Sequence, residues 1–189
     1  MYKFNGFTND ANEALNSAIE IAGQLGHNYI GSEHILYGIA SCEGTVASDA
    51  LEQCGVTSEK LVGLLESEIG VGNSLRLSPS DMTPTSKRIL EVAIEYAREM
   101  NMQAVSSIPL LLAVLQEGNY ANRFINLLGA DSKEIATTAL SNFDDDTVSN
   151  APQSSGNKSA KKSAKGGTLE KFGRDLTAEA KELKLDPVI

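Results

Sequence analysis

The stretch that decides the fold is NDANEALNSAIEIAGQL, residues 9–25. Its apolar side chains recur at steps of three and four, which places them on one face of an α-helix. They are Ala11, Leu15, Ala18, Ile19, Ala22 and Leu25. Thr8 is suited to cap the start of this helix, and Gly26 follows its last turn as a stop signal. The stretch therefore predicts an amphipathic helix that buries one face.

A second stretch, TPTSKRILEVAIEYAREM at residues 83–100, repeats this design. Thr83 stands where Thr8 stood, and the following proline suits the first helical position. A shift of 75 residues aligns the two stretches and, reduced to 74 after a one-residue deletion, continues well beyond them. Further matched residues are Ile30 with Val105, Ser32 with Ser107, Leu36 with Leu111, Gly44 with Gly118, and Gly55 with Gly129.

An internal match of this length predicts two copies of one folding unit, at residues 7–70 and 82–143. The helices expected in the first copy cover residues 9–25, 32–41, 45–54 and 58–69. Those expected in the second cover residues 84–100, 107–116, 119–128 and 132–142. No segment alternates apolar and polar residues with a period of two, so no sheet is expected. The predicted fold class is all-α, with two tandem four-helix repeats forming one domain over residues 1–143.

The composition changes after Phe143. Residues 144–167 read DDDTVSNAPQSSGNKSAKKSAKGG, which holds too little apolar surface to offset the entropy of ordering. We expect a flexible linker there. Residues 168–189, TLEKFGRDLTAEAKELKLDPVI, regain helical character around 175–184 and complete a flexible tail with a short terminal helix.

The charge distribution disfavours some classes of partner. Residues 1–143 hold 8 Lys and Arg against 17 Asp and Glu, so the whole net charge of -9 lies there. Nucleic acids and anionic membranes need clustered cations, so neither is an expected partner. An acidic surface suits cationic or unfolded polypeptides. The absence of an apolar leader, of a long apolar run and of a CxxC pairing of Cys42 and Cys54 favours a cytoplasmic protein with reduced thiols.

Motifs of independent catalysis are missing from the sequence. His27 and His34 are the only histidines and have no third ligand at metal spacing, so no metal site is expected. Neither a GxSxG nucleophile motif nor a GxxxxGK[ST] phosphate loop occurs. The sequence therefore predicts that this chain is not an enzyme and holds no cofactor.

Glu33 has two interpretations. A carboxylate in the first turn of a helix is favoured by the helix dipole, which makes Glu33 an ordinary helix-start residue. It could instead receive a cation such as a guanidinium, which binds carboxylates through two parallel hydrogen bonds. The second copy has Ile108 at the equivalent position, so the scaffold does not require an acid there. Any such site would exist once in the chain.

Phe4 and Phe7 precede the first helix, and Met82 aligns with Phe7. They could form hydrophobic staples onto the helices that follow. Alternatively, they could form an apolar surface for a partner.

These residues resemble a known family. FT at 7–8, LGHNYIGSEHILYGI at 25–39 and EGTVASDALEQCGV at 43–56 are similar to the signatures of the Clp N-terminal repeat domain, found in Clp/Hsp100 AAA+ unfoldases. The segment LEKFGRDLTAEAKELKLDPVI resembles the entry into the first ATPase module of ClpC- and ClpB-type proteins. The resemblance is nearest to the ClpC type. It implies that residues 168–189 are the start of an AAA+ module, cut short at Ile189.

The resemblance also implies a function. In this family the domain lies above a hexameric ATPase ring and engages adaptors and unfolded or marked substrates, which ClpC types deliver to a ClpP-type protease. ATP and Mg²⁺ are expected only for the parent protein. The alternative is a standalone accessory or assembly protein of a Clp protease complex, which a stop codon after Ile189 would favour.

The family's ClpC-type domains bind phosphorylated arginine with a Thr and a Glu in each repeat. By position, the first copy has Thr8 and Glu33. The second has Thr83, with Ile108 in place of the acid. The resemblance therefore implies a phosphoarginine-type site at Thr8, Glu33 and Thr83, complete only in the first copy.

Overall fold

A computed structural model describes residues 1–149, with side chains as far as residue 144. The described part contains eight α-helices and no strand. The first repeat holds α1 (Asn9–Gln24), α2 (Ser32–Ser41), α3 (Val46–Gln53) and α4 (Ser58–Leu64). The second holds α5 (Pro84–Glu99), α6 (Ser107–Val114), α7 (Tyr120–Leu127) and α8 (Ser132–Ser149). The all-α prediction is confirmed.

Side-chain caps mark four of the eight described helix starts. The side-chain oxygens of Thr45, Thr57, Thr83 and Asn119 each accept a hydrogen bond from the backbone N–H three residues later. This satisfies one of the N–H groups that a helix leaves free at its start. Thr8 precedes α1 in the same extended conformation, but makes no such capping bond. Its hydroxyl donates instead to the Asp10 carboxylate.

The largest departures from the predicted bounds are at two helix ends and in one loop. α4 stops at Leu64 and continues as one π-helical turn over Leu65–Ile69, and a short 3₁₀ helix forms at Pro79–Asp81 within the predicted loop. α8 passes residue 142 and runs into the predicted linker as far as Ser149. No glycine or proline interrupts residues 132–149, so local propensity permits the extension. The rest of the linker and the terminal segment lie outside the described residues.

The helices pack as two antiparallel pairs that share one core. α1 packs most closely on α2, and α5 on α6. α2 also contacts α7 of the second repeat, and α3 contacts α6 and α8. Every residue of α6 is buried, which explains why this helix lacks a polar face. The two repeats therefore form one domain rather than two separate bundles.

The repeats exchange short backbone contacts with each other. Phe7 forms an isolated bridge with Val105, and Met82 forms the equivalent bridge with Ile30. The Thr8 N–H donates to Val105 O at 2.9 Å, while the Thr83 N–H donates to Ile30 O at 3.0 Å. Each repeat thus places the segment before its first helix beside the start of the other repeat's second helix.

Candidate functional site

A cavity of about 600 Å³ opens between the repeats where these exchanged segments meet. Both repeats line it. The first contributes Tyr29, Gly31, Ser32, Glu33, Glu68 and Ile69, and the second contributes Thr83, Thr85, Gly118, Asn119 and Tyr120. Its size suits an amino-acid side chain or a small ligand. The cavity brings together Glu33 and Thr83, two of the three predicted phosphoarginine-site residues.

Glu33 is the most unusual group in the cavity. It lies in the first turn of α2 and is only 1% exposed. Ser32 holds one of its oxygens, since the Ser32 hydroxyl donates to Oε2 at 3.3 Å. The same hydroxyl accepts the Ala121 N–H of α7 at 3.2 Å, which ties α7 to α2. The other carboxylate oxygen, Oε1, is buried without a hydrogen-bond partner.

Burial controls the protonation of Glu33. Loss of hydration raises the pKa of this carboxyl, and this effect exceeds the opposing hydrogen bonds from its own backbone, Ser32 and Tyr29. A buried acceptor without a donor also costs roughly 1–3 kcal/mol. A ligand that brings N–H donors to Oε1 would relieve both costs. The arrangement can therefore accept a donor-bearing cation, and both interpretations of Glu33 stay predictions.

The two histidines form a buried support beneath this site. His27 Nε2 lies 2.8 Å from the Gly70 carbonyl, so this nitrogen carries a proton and donates. His27 Nδ1 can then accept from His34 Nε2 at 2.7 Å, and His34 Nδ1 accepts the Gly31 N–H at 3.0 Å. Burial, followed by the charge of His27, lowers the pKa of His34 to about 3. The 3.4 Å approach of Glu33 Oε1 to His34 Nδ1 is therefore not an ion pair.

Three helices begin at the cavity wall. Gly31 and Ser32 start α2, Thr83 caps α5, and Asn119 caps α7. Helix N-termini carry partial positive charge and free N–H groups, which favour anionic ligand groups. The described lining contains no Lys or Arg. The cavity thus combines a buried acid with three helix starts that carry partial positive charge.

Thr8 lies at the pseudo-equivalent place on the other side of the domain. It is next to Val105 and Asp10, and it does not line the cavity with Glu33. The structure thus brings Glu33 and Thr83 to the same cavity and leaves Thr8 apart from both, and the three residues as a binding site stay a prediction. The exchanged bridges cause this crossing, which sequence position alone does not reveal.

The predicted apolar surface divides between core and periphery. Met82 is 5% exposed, so its side chain lies in the core. Phe4 and Phe7 are half-buried and meet edge to face with ring centroids 6.1 Å apart. Both pack against the core, as the staple interpretation expects. A partner surface at Phe4 and Phe7 stays a prediction.

Several cavity residues were not singled out from the sequence. Tyr29 and Ser32 fall within the signature stretch at 25–39, whereas Thr85, Asn119 and Tyr120 lie outside the family signatures. The five residues come together only through the crossing of the repeats. The repeat alignment offered a weak signal, because Ser32 matches Ser107 and both are buried. Among the described residues, no group of His, Cys, Asp and Glu side chains could hold a metal ion. None of the described helices has the length and hydropathy to cross a membrane.

Solved structures share this fold. The N-terminal domain of the caseinolytic protease associated chaperone ClpD from Arabidopsis thaliana has a TM-score of 0.62 and 23% identity, covering 75% of this chain and 99% of that chain. The Hsp104 N-terminal domain from Candida albicans has a TM-score of 0.59 and 15% identity, covering 72% of this chain and 90% of that chain. Identities this low establish the fold alone.

Curated relatives match almost the whole chain. The chloroplastic chaperone protein ClpC2 of Oryza sativa subsp. japonica is 36% identical over 188 residues, covering 98% of this chain but 20% of that protein. The negative regulator of genetic competence ClpC/MecB of Bacillus subtilis (strain 168) is also 36% identical over 188 residues, with 98% and 22% covered. This chain therefore spans about a fifth of the length of these relatives. The Clp repeat (R) N-terminal domain family matches residues 6–128, and the chain belongs to that family.

Proposed function

We propose that this domain recognises client proteins and adaptors for a Clp-type ATP-dependent unfoldase. The observation that carries the proposal is the buried Oε1 of Glu33, which has no hydrogen-bond partner and lies at a cavity shared by both repeats. Orphaned buried acceptors are rare in folded proteins, and a ligand that supplies the missing donor explains this one. The recognition is reversible and involves no chemistry at the cavity.

The ligand chemistry follows from the two kinds of charge in the cavity. A guanidinium offers planar paired donors to the Glu33 carboxylate. A phosphoryl group on the same side chain would meet the starts of α2, α5 and α7, where partial positive charge collects. Phosphoarginine carries both groups. We therefore propose it as the marked residue, bound by Glu33 and Thr83 across the repeats.

The wider setting is proposed from the relatives. ATP and Mg²⁺ would act in ATPase modules of a hexameric parent, and a ClpP-type protease would receive the unfolded chain. The linker that the sequence predicts would keep a bound client close to the pore at high effective concentration. The curated relatives include chloroplastic and bacterial proteins, so a cytoplasmic location stays a prediction.

Calorimetry tests the proposed site. A phosphoarginine peptide is titrated into residues 1–189 and into the Glu33→Gln variant, which keeps the side-chain shape but removes the charge. Loss of a charged hydrogen bond worth about 1.5–3 kcal/mol should weaken binding roughly 10- to 150-fold. Glu59→Gln, an exposed first-turn acid of α4, is the matched control and should leave the affinity unchanged. Equal affinities for wild type and Glu33→Gln, or no binding to wild type, would contradict the proposal.

A further inference from the structure

Two tyrosines line the cavity beside Glu33, and neither is explained by the scaffold. Tyr29 lies just before α2, and Tyr120 is the first residue of α7. In the repeat alignment, Tyr29 corresponds to Ala104 and Tyr120 to Val46. The same fold is therefore built in the other half without aromatic rings at these positions. Because the two rings occur at this cavity and not at the equivalent positions of the other half, they point to a role in the cavity.

Tyr29 is held in a fixed orientation. Its ring stacks on His27 at a centroid distance of 6.3 Å and an interplanar angle of 15°. It also meets the His34 ring edge to face at 5.7 Å. Burial raises the pKa of Tyr29, and the nearby charges of Glu33 and then Tyr120 add to this effect. One wall of the cavity is thus an aromatic ring supported from behind by the histidine pair.

Tyr120 is exposed although it is large and apolar. It is 59% exposed, yet its neighbours on both sides are anchored. The Asn119 side chain caps α7, and the Ala121 N–H donates to Ser32 at the base of the cavity. An exposed ring on a fixed backbone loses little conformational freedom when it covers a ligand. Tyr120 therefore has the placement of a contact residue rather than of a core residue.

A tyrosine beside a buried carboxylate discriminates between the two cationic side chains of proteins. A guanidinium is planar and weakly hydrated, so it can stack on the ring while it donates to the carboxylate. A lysine ammonium is compact and strongly hydrated, and it has no flat face to stack.

We infer that Tyr120, together with the fixed ring of Tyr29, makes this cavity selective for guanidinium-bearing side chains over ammonium-bearing ones. The inference rests on the proposed function of the cavity, and it adds the residue that determines the specificity. The same selection would apply to arginine and to phosphoarginine, because both present the guanidinium plane.

The experiment uses residues 1–189 and three peptides that differ only at one central residue, which is phosphoarginine, arginine or lysine. Affinities are measured by calorimetry for wild type and for Tyr120→Ala, Tyr120→Phe and Tyr120→Leu. Loss of the ring in the Ala and Leu variants should weaken the phosphoarginine and arginine peptides by about 2- to 30-fold. The Phe variant should stay within about twofold of wild type, because it keeps the ring face. Binding of the lysine peptide should be weaker throughout and should change less than the others.

The outcomes separate this inference from the proposed function. Full affinity of Tyr120→Leu, or equal losses for the arginine and lysine peptides, overturns the aromatic selection. If Glu33→Gln weakens binding while Tyr120→Ala leaves the affinity of the arginine and phosphoarginine peptides unchanged, the inference fails and the proposed site stands. If wild type binds none of the peptides, both fail. Melting temperatures of the Tyr120 variants should equal that of wild type, since the exposed side chain carries little of the core.

Discussion

At the base of the cavity between the repeats, the Glu33 carboxyl has lost almost all of its hydration while one of its oxygens has gained no hydrogen bond in return. Burial raises its pKa above the ordinary value of 4.5, so the folded state holds this proton more tightly than the unfolded state does. Any stability gained from Glu33 is therefore complete below about pH 4.5 and is lost as the pH rises through the folded pKa. Near neutral pH the side chain opposes folding.

Replacing Glu33 by glutamine should consequently stabilise the domain at pH 7 even though it removes the proposed ligand site. The gain should be on the order of 1 kcal/mol, or about 2–4 °C in melting temperature for a domain of this size. Thermal unfolding of wild type and Glu33→Gln across pH 4–8 measures it. The gain should shrink as the pH falls towards 4.5. The exposed control Glu59→Gln should show no such gain, and a variant that is less stable than wild type at pH 7 would refute the argument.

The sequence identified Glu33 but not its surroundings. The contrast with Ile108 in the second copy showed that the scaffold does not need an acid at this position. The orphaned Oε1 could not be predicted, because it depends on where the fold places the donors. Ser32 gives its one hydroxyl proton to Oε2, and the Ala121 N–H of the other repeat goes to the Ser32 hydroxyl and not to the carboxylate. Hydrogen bonds between residues far apart in the sequence produce no local spacing pattern from which they could be predicted. Thr8 was grouped with Glu33 for the same reason, although the fold places Thr83 there.

Among the helices, the crossing of α1 and α2 depends on a glycine. A Cβ on Gly38 would lie 2.0 Å from the Ala14 carbonyl oxygen and 3.1 Å from the Ala18 nitrogen, which are backbone atoms. This close approach sets how α2 presents Glu33, five residues earlier on the same helix, to the cavity. The domain could accommodate a Cβ at Gly38 only if the backbone of α1 moved away from α2.

Gly38→Ala should therefore destabilise the domain by about 1–3 kcal/mol, the usual cost of overpacking. Gly63 in α4 is the matched control, because it is helical and exposed and a Cβ there meets no atom within 4 Å. Gly63→Ala should stabilise by about 0.4–1 kcal/mol through helix propensity and reduced unfolded-state entropy. Urea unfolding of both variants gives the comparison. Equal changes in the two would show that the helix crossing tolerates a methyl group.

Helix positions were the most predictable level of the structure. The apolar stripes and the repeat alignment located all eight described helices. Three features were not predicted, because they depend on tertiary contacts or have no marker in the sequence. They are the π-helical turn after α4, the 3₁₀ helix at Pro79–Asp81 and the continuation of α8 beyond residue 142.

Across the whole domain, the two repeats contact each other reciprocally, which creates two equivalent places where they meet. Only the place at the cavity holds an acid with an oxygen that lacks a hydrogen bond. The position equivalent to Thr85 at the cavity is Asp10 on the opposite side. Asp10 Oδ2 accepts the Ser107 N–H at the start of α6 at 3.0 Å, and Oδ1 accepts the Thr8 hydroxyl. Burial raises the pKa of Asp10, but the hydrogen bonds from Thr8 and Ser107 outweigh it and leave the pKa lowered. This carboxylate already has its donors.

The place around Thr8, Asp10 and Ser107 should therefore bind no phosphoarginine, and calorimetry of wild type should give one peptide per chain. Two changes should give the place around Thr8 the arrangement that the cavity has around Glu33. Ile108→Glu supplies an acid in the first turn of α6, and Asp10→Thr removes the carboxylate that would repel it and frees the Ser107 N–H. The double variant should bind two peptides per chain, because Glu33 shows that this fold can hold a buried acid at the equivalent place.

Two controls make the stoichiometry decisive. Ile108→Gln with Asp10→Thr has the same shape without the charge and should keep a single site. Adding Glu33→Gln to the restored variant should remove the original site and leave only the new one. Two peptides bound to wild type would show that Asp10 does not prevent binding at the place around Thr8. A folded double variant that still binds one peptide would show that an acid on α6 is not sufficient, and that the recognition depends on residues found only beside Glu33.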